Sequence, residues 1–532
     1  MILELKNYKK EITLLALWLP FMFAINTNLT DILYLGRGLT ANINAIRITL
    51  YLFSFLFLVF LFFINFKKIK LSSSVFFIYL LIFIIQSNFI FTENFNKLIA
   101  NYEIFFSGNI PLIIKYISVY EVGLEVQSIY MLIGSIGAII YFIIFNNEKY
   151  EKIIKRQIII TSLIIASVYL YFAASIIIEY LTSDEMFMLY HSKILNSGKF
   201  FGYEMTRSTG ISRILVMIST ITLLLIFRFK NNYLRIFGFI FIIFVNTTII
   251  LLSSRFGIYS YIIIMLTLML LIKASYLKKI IIIFFLSIIP YLIQDTIKQF
   301  KLYNIIDRNI SVDGTDNGTD NGTDNGTDNG TDNIMLTNTN DSTDKLLFID
   351  VMFGRNDDYR KTKEKFINDK SIVTYRNLIK KNIENSSYEI DTTGRIDIWK
   401  NAYDLILDNK VNFWIGNGYQ SDRKLFTSYN NSNFYGSNIS NALLHIFVCS
   451  GLIGIFIFLY INLKILIRIF QFYFIDKIYL NYNKNFGLIV AINIVLLLYL
   501  RCLVENSIAY FNMDFLIFLM CLYIIDKKRK II

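Results

Sequence analysis

The sequence predicts an all-α polytopic integral membrane protein with about twelve transmembrane helices and one large, late extracytoplasmic loop. Three observations carry that prediction. The 532 residues are 55% hydrophobic and only 17% charged, with a mean hydropathy of +0.54. An ordinary soluble domain is about 25% charged, so this chain has too few charges to cover so much Phe, Ile and Leu. The apolar residues gather in runs of about 20, the length a helix needs to cross a bilayer. Lys and Arg gather in the short segments between alternate runs, as the positive-inside rule requires.

Taken in order, the spans read as 12–35, 46–66, 72–91, 126–145, 158–180, 208–229, 236–253, 256–272, 280–297, 438–463, 486–506 and 508–525. The first contains Pro20, lacks a small-residue cleavage pattern and is followed by further spans, so it reads as a membrane helix and not a signal peptide. One side of the membrane carries Lys6, Lys9 and Lys10, then Lys67, Lys68 and Lys70, then Lys149, Lys152, Lys155 and Arg156. The same side carries Arg228, Lys230, Arg235, Lys273, Lys278 and Lys279, then Lys464, Arg468, Lys477 and Lys484, and the tail from Lys527 to Lys530. The alternation is unbroken when both termini are cytoplasmic. It keeps 104–120, around Pro111, outside as an interfacial or re-entrant segment, and it puts 298–437 outside as well. The chain thus divides into 1–297 with nine spans, the extracytoplasmic loop 298–437, and 438–532 with three spans.

This division explains the net charge of +13. The loop holds 18 basic and 21 acidic residues, a net of −3, which leaves +16 for the membrane part. The positive charge is therefore topological and excludes a nucleic-acid partner as its cause. All three cysteines, Cys449, Cys502 and Cys521, sit in apolar runs, without a CxxC pattern or a disulfide framework. Two histidines, His191 and His445, leave no room for a His-based metal cluster. Neither a metal nor a cofactor is expected.

Within the loop, five Gly-Thr-Asp-Asn units occupy 314–333. They offer nothing apolar to bury and read as a disordered spacer. Their spacing of four lacks the EF-hand alternation, and no Glu closes a calcium site. Residues 359–381 are basic and polar. Residues 394–410 place Ile396, Ile398, Trp399, Ala402, Leu405 and Ile406 at the spacing of an amphipathic helix lying against the membrane domain or its interface. A turn follows at Gly416-Asn417-Gly418. It is not a dinucleotide site, since no strand precedes it in a βαβ unit.

Arginines on the outer side are the exception to the charge rule. Arg207 and Arg213 open the sixth span, Arg255 lies in a tight hairpin between two spans, and Arg395 opens the amphipathic stretch. A guanidinium is a rigid five-donor fork that matches phosphate oxygens, so several at one boundary suit a diphosphate. Snorkelling, or pairing with Glu204 or Asp397, would also account for them. Arg501 and Glu505 stand i,i+4 near the end of the eleventh span and would neutralise each other; a catalytic or acceptor-binding role for Glu505 is the alternative.

These residues, in this order, resemble the bacterial O-antigen polymerases and the wider polymerase/ligase superfamily of lipid-linked glycan transferases. The resemblance covers roughly 205–455. It rests on Arg207–Arg213, on Ser254-Arg255-Phe256-Gly257, on Gly394-Arg395-Ile396-Asp397-Ile398-Trp399, on Gly416-Asn417-Gly418, and on Ser440-Asn441 followed by Gly451-Leu452-Ile453-Gly454. It departs from the family at Ser440, where many members have a His before the Asn. His445 lies one helical turn after Asn441.

The resemblance implies a GT-C-like helical fold in the bacterial inner membrane. It implies a glycosyltransferase that joins undecaprenyl-diphosphate-linked oligosaccharides without a metal, beside a protein regulating chain length. Arg207, Arg255 and Arg395 would act on the diphosphate, with His445 as a catalytic residue. Arg213, Asp397, Trp399, Gly416, Gly418, Ser440, Asn441 and Glu505 would bind substrate, and His445, Asp397 and Glu505 are the candidate bases. A ligase acting on lipid A core or protein, and a lipid-linked glycan flippase, are the alternatives.

Overall fold

The computed structural model describes residues 2–25, 40–66, 75–88, 124–146, 148–182, 199–200, 203–204, 208–252, 277, 280–282, 284–286, 288–297, 395–428, 439–503 and 505–528. Among them the regular structure is helical, apart from a two-residue antiparallel ladder pairing β1 (Lys199–Phe200) with β2 (Tyr203–Glu204). The first helices are α1 (Ile2–Ile25), α2 (Thr40–Asn65), α3 (Val75–Gln86), α4 (Leu124–Phe145), α5 (Glu151–Thr182), α6 (Ser208–Arg228) and α7 (Asn232–Leu251). After them come α8 (Arg395–Leu407), α9 (Ser421–Ser428), α10 (Ala442–Phe470), α11 (Tyr482–Cys502) and α12 (Met513–Lys528). Seven segments of these described residues are long and apolar enough to cross a membrane, among them Ser128–Phe145, Ile211–Arg228 and Ala442–Ile475. The protein is a membrane-embedded helical bundle.

Hydropathy marks the apolar part of each helix, and the hydrogen-bonded backbone runs past it. α1 begins at Ile2 and takes in Lys6, Lys9 and Lys10; α5 begins at Glu151 and takes in Lys152, Lys155 and Arg156. Lys, Glu and Arg are good helix formers, so charge does not stop either helix. Arg156 Nη1 donates to Glu11 Oε1 at 2.7 Å and ties the two polar starts together. At the other end of the chain α10 and α12 begin later than their apolar runs do. Residues 439–441 lead into α10 without helical structure, Asn441 being extended, and 505–512 are irregular turns leading into α12. The expected span 256–272, the segment 104–120 and the repeat 314–333 lie outside the described residues.

α12 is apolar on every side and buried on every side, including Phe515, Leu516, Phe518 and Leu519. An all-round apolar helix belongs at the centre of a bundle. Tyr79 and Phe83 of α3 pack on Phe515 with ring centroids 5.9 and 5.5 Å apart, and Phe142 of α4 lies 5.6 Å from Tyr523. Small residues make room for aromatic rings between helices: a Cβ on Gly134 would sit 2.4 Å from the Phe511 ring, and one on Gly137 2.6 Å from the Phe21 ring. By contrast α2, α7 and α10 each expose an apolar stripe, such as Phe53, Phe60 and Phe63, or Ile236, Phe237 and Ile240. Stripes of that size are tolerated where lipid is the solvent.

α8 is the expected amphipathic helix. Ala402 and Leu405 are buried and, with Ile398, Trp399 and Ile406, form a small apolar cluster with Ile439 and Val448 at the start of α10. At the far end of α10, Arg468 Nη1 donates to Asp526 Oδ1 of α12 at 2.7 Å, and Asn146 Nδ2 reaches Asp526 Oδ2 at 3.4 Å.

Candidate functional site

The site is built where α10 begins. That helix is broken at Gly451, whose φ of 62° and ψ of −162° lie in a region only glycine occupies comfortably. A continuous helix would bond the Leu452 amide to the Val448 carbonyl and the Ile453 amide to the Cys449 carbonyl. Here the segment before α9 takes all four groups. Asn417 N donates to Val448 O at 2.8 Å and Gly418 N to Cys449 O at 3.1 Å, while Leu452 N donates to Phe413 O at 2.8 Å and Ile453 N to Trp414 O at 3.2 Å.

The segment is shaped for this approach. Asn412 Oδ1 accepts from the amides of Trp414 and Ile415, and Asn417 Nδ2 donates to Lys410 O at 2.6 Å. Gly416 and Gly418 have φ of 66° and 96°, and a Cβ on Gly416 would lie 2.4 Å from the Cys449 backbone. The end of α3 also grips the break: Gln86 Nε2 donates to Ser450 Oγ at 2.8 Å, and Tyr419 N donates to Gln86 O at 2.9 Å. The Tyr419 hydroxyl accepts from Phe511 N at 2.8 Å and lies 3.2 Å from Ser135 Oγ. Burial outweighs these two bonds and pushes that phenol above its ordinary value.

Two charged groups meet at this end of the bundle. In the first, Asp422 Oδ2 of α9 accepts from His445 Nδ1 at 2.9 Å and from Ile439 N at 3.0 Å. His445 Nε2 stands 3.7 Å from Cys449 Sγ, one helical turn further along. All three side chains are buried. Burial alone would raise the Asp422 carboxyl; the His445 charge and hydrogen bond, the Ile439 amide and the Arg423 charge outweigh it and hold the carboxyl below the ordinary carboxylate value.

In the second group, Arg213 Nη1 of α6 and Arg501 Nε of α11 lie 3.2 and 3.3 Å from the same oxygen, Asp514 Oδ2 of α12. Glu505 is partly exposed, and its charge acts on both guanidiniums. Tyr510 borders the first group, its ring centroid 5.8 Å from that of His445.

Among the residues singled out from the sequence, Arg213, His445 and Glu505 are thus brought to one end of the bundle. Arg501 has Asp514 as a partner in addition to Glu505. α11 ends at Cys502, and the Glu505 amide donates to Arg501 O at 2.8 Å, an α-type bond that keeps Glu505 one turn beyond Arg501. Asn441 caps α10, its Oδ1 accepting from the amides of Leu443 and Leu444, while Nδ2 donates to Leu503 O at 3.1 Å. Ser440 is buried and contributes its carbonyl to Trp399 Nε1 at 3.3 Å. Gly416 and Gly418 serve the backbone docking. Arg395 and Asp397 stand in the first turn of α8, where the backbone alone is described; Arg207 and Arg255 lie outside the described residues.

Sequence reasoning missed Asp514, Asp422 and Cys449. Asp514 was visible as an acid beside an otherwise apolar run, a pattern that marks functional or paired carboxylates in membrane helices. Cys449 was visible as a cysteine one turn after His445. Asp422 gave no signal, because its partners come from a distant helix. No family model, curated relative or solved structure matches the chain.

Proposed function

We propose that the chain is a surface-polysaccharide polymerase of the O-antigen polymerase type. In this reading it crosses the bacterial inner membrane about twelve times with both termini cytoplasmic, in a GT-C-like arrangement, beside a chain-length regulator. It joins undecaprenyl-diphosphate-linked oligosaccharide repeats. The observation that carries the reading is the pair of guanidiniums, Arg213 and Arg501, held against one carboxylate oxygen at the end of a membrane bundle. Asp514 fixes both forks before substrate arrives, and donors fixed in advance are the ones that stabilise charge developing in a transition state.

The chemistry asks for little more. The bond from the glycosyl carbon to the lipid diphosphate breaks, and its electron pair stays on the diphosphate oxygen, where the arginines meet it. An acceptor hydroxyl oxygen bonds to the glycosyl carbon, and its proton passes to a base. Glu505 fits that role better than His445, since Glu505 is partly exposed beside the arginines while His445 is buried and bonded to Asp422. Arg207, Arg255 and Arg395 complete the diphosphate site in this reading, and Asp397 and Trp399 border it.

The test is the glycan of a strain lacking the gene. Single-repeat glycan on its usual acceptor, restored to long chains by the wild-type gene, is the expected result. The Arg213→Ala variant should stay in the membrane and lower polymerisation by about 100-fold. Long glycan retained on undecaprenyl diphosphate would mark a ligase instead, and short units facing the cytoplasm a flippase. Normal chain lengths in the alanine variants of Arg207, Arg255 and Arg395 would overturn the diphosphate site.

A further inference from the structure

His445 and Cys449 are i and i+4 on the first half of α10, which puts both on one face of the helix. Asp422 is brought against that face by α9, and the Ile439 amide holds it there. The His445 imidazole, the Cys449 thiol and the Asp422 carboxylate each offer one ligand atom, and these atoms lie within 4.8 Å of one another. His445 Nδ1 is 2.9 Å from Asp422 Oδ2 and 3.9 Å from Cys449 Sγ. Tetrahedral ligands at about 2.0–2.3 Å from zinc are separated by about 3.3–3.6 Å, so small side-chain rotations bring the three onto one ion.

We propose that Asp422, His445 and Cys449 form a site for one divalent transition-metal ion, with zinc the best match. Sulfur, imidazole nitrogen and carboxylate oxygen are the donor types zinc takes, and three protein ligands leave a fourth position for water. Charge supports the same conclusion. A thiolate and a carboxylate balance a divalent cation, and only a balanced group is tolerated at this depth of burial. The second oxygen, Asp422 Oδ1, is buried in the same group and makes no hydrogen bond among the described residues. A purely structural Asp–His pair has no use for that oxygen or for the thiol beside it. Binding needs no oxidant: the Cys449 thiol releases its proton, His445 binds through Nδ1 as the neutral imidazole with its proton on Nε2, and the metal replaces the hydrogen bond to Asp422. The ion would clamp α9 and its preceding segment onto the broken half of α10.

Cobalt(II) is the probe. Full-length protein in lipid nanodiscs, stripped with a chelator and reloaded with Co²⁺, is expected to hold about one tightly bound ion per chain with tetrahedral visible bands and a thiolate-to-cobalt charge-transfer band. Added Zn²⁺ should bleach both. Cys449→Ser should remove the charge-transfer band, and Asp422→Asn should weaken Co²⁺ binding by at least about tenfold. A Cys502→Ser, Cys521→Ser double variant leaves Cys449 as the single thiol and must keep the band, which protects the test if Cys449→Ser fails to fold. Cobalt bound without a thiolate band, a band that survives Cys449→Ser, or a band lost in the double variant would overturn the site. The readout does not involve polysaccharide synthesis, so its failure leaves the polymerase reading standing.

Discussion

At the scale of single residues, the site depends on backbone positions that tolerate no side chain. A Cβ on Gly451 would lie 2.3 Å from the Trp414 carbonyl carbon, at a φ and ψ that only glycine accepts. Gly451→Ala should therefore cost about 3 kcal/mol or more, read as a large loss of thermal stability in detergent. Gly487, in the second turn of α11 with nothing within 4 Å of its would-be Cβ, is the control. Its alanine variant should match the wild type or exceed it by up to about 1 kcal/mol. Tyr419 supplies a hydroxyl to the Phe511 amide. Tyr419→Phe strands that buried donor and should cost about 1–3 kcal/mol, measurable in the same melts.

At the scale of elements, α10 shows what sequence reading captures. Its apolar run, its start near Asn441 and the amphipathic α8 beside it all follow from periodicity and burial. The break does not. Gly451 in a run of Gly, Leu, Ile and Phe has the composition of any close-packed membrane helix, and the groups that compensate its broken bonds belong to residues more than thirty positions earlier. The charged site was legible in part for the same reason. Arg213 and Glu505 stood out as charges beside apolar runs, whereas their arrangement around Asp514 depends on how three helices converge. Asn441 is the test at this scale. Asn441→Ala removes the cap of α10 and should cost about 1 kcal/mol. Asn441→Asp keeps the cap acceptor and loses only the bond to Leu503 O, so its melting point should fall between alanine and wild type.

At the scale of the whole molecule, charge sits at both ends of the central helix. α12 has 16 residues and so extends about 24 Å, less than the roughly 30 Å of a bilayer's hydrocarbon core. Its two acids bound it: Asp514 in the first turn faces Arg213 and Arg501, and Asp526 in the last faces Arg468. The turns at 505–512 lead into it, and their buried residues Asn506 to Ala509 lie within protein, the setting in which irregular backbone is tolerated inside a membrane. The two ends should be separable. Arg468→Ala leaves Asp526 buried without its main partner and should cost about 3–5 kcal/mol, and under the proposed polymerase function the folded fraction should keep the wild-type glycan chain length. Replacing both Arg468 and Asp526 with Leu should recover most of that stability, as melting curves of the two variants would show.

The four-bond exchange at Gly451 also bears on how the chain is made. Residues 412–418 leave the ribosome before α10 does, so the partner of the break exists before the helix that needs it. A newly inserted α10 has another option, an unbroken helix that satisfies Leu452 and Ile453 from Val448 and Cys449 within one span. The native state trades those two internal bonds for four to the earlier segment. Insertion and maturation are therefore distinct events for this span, and a chain held at the first would be fully inserted yet have no site.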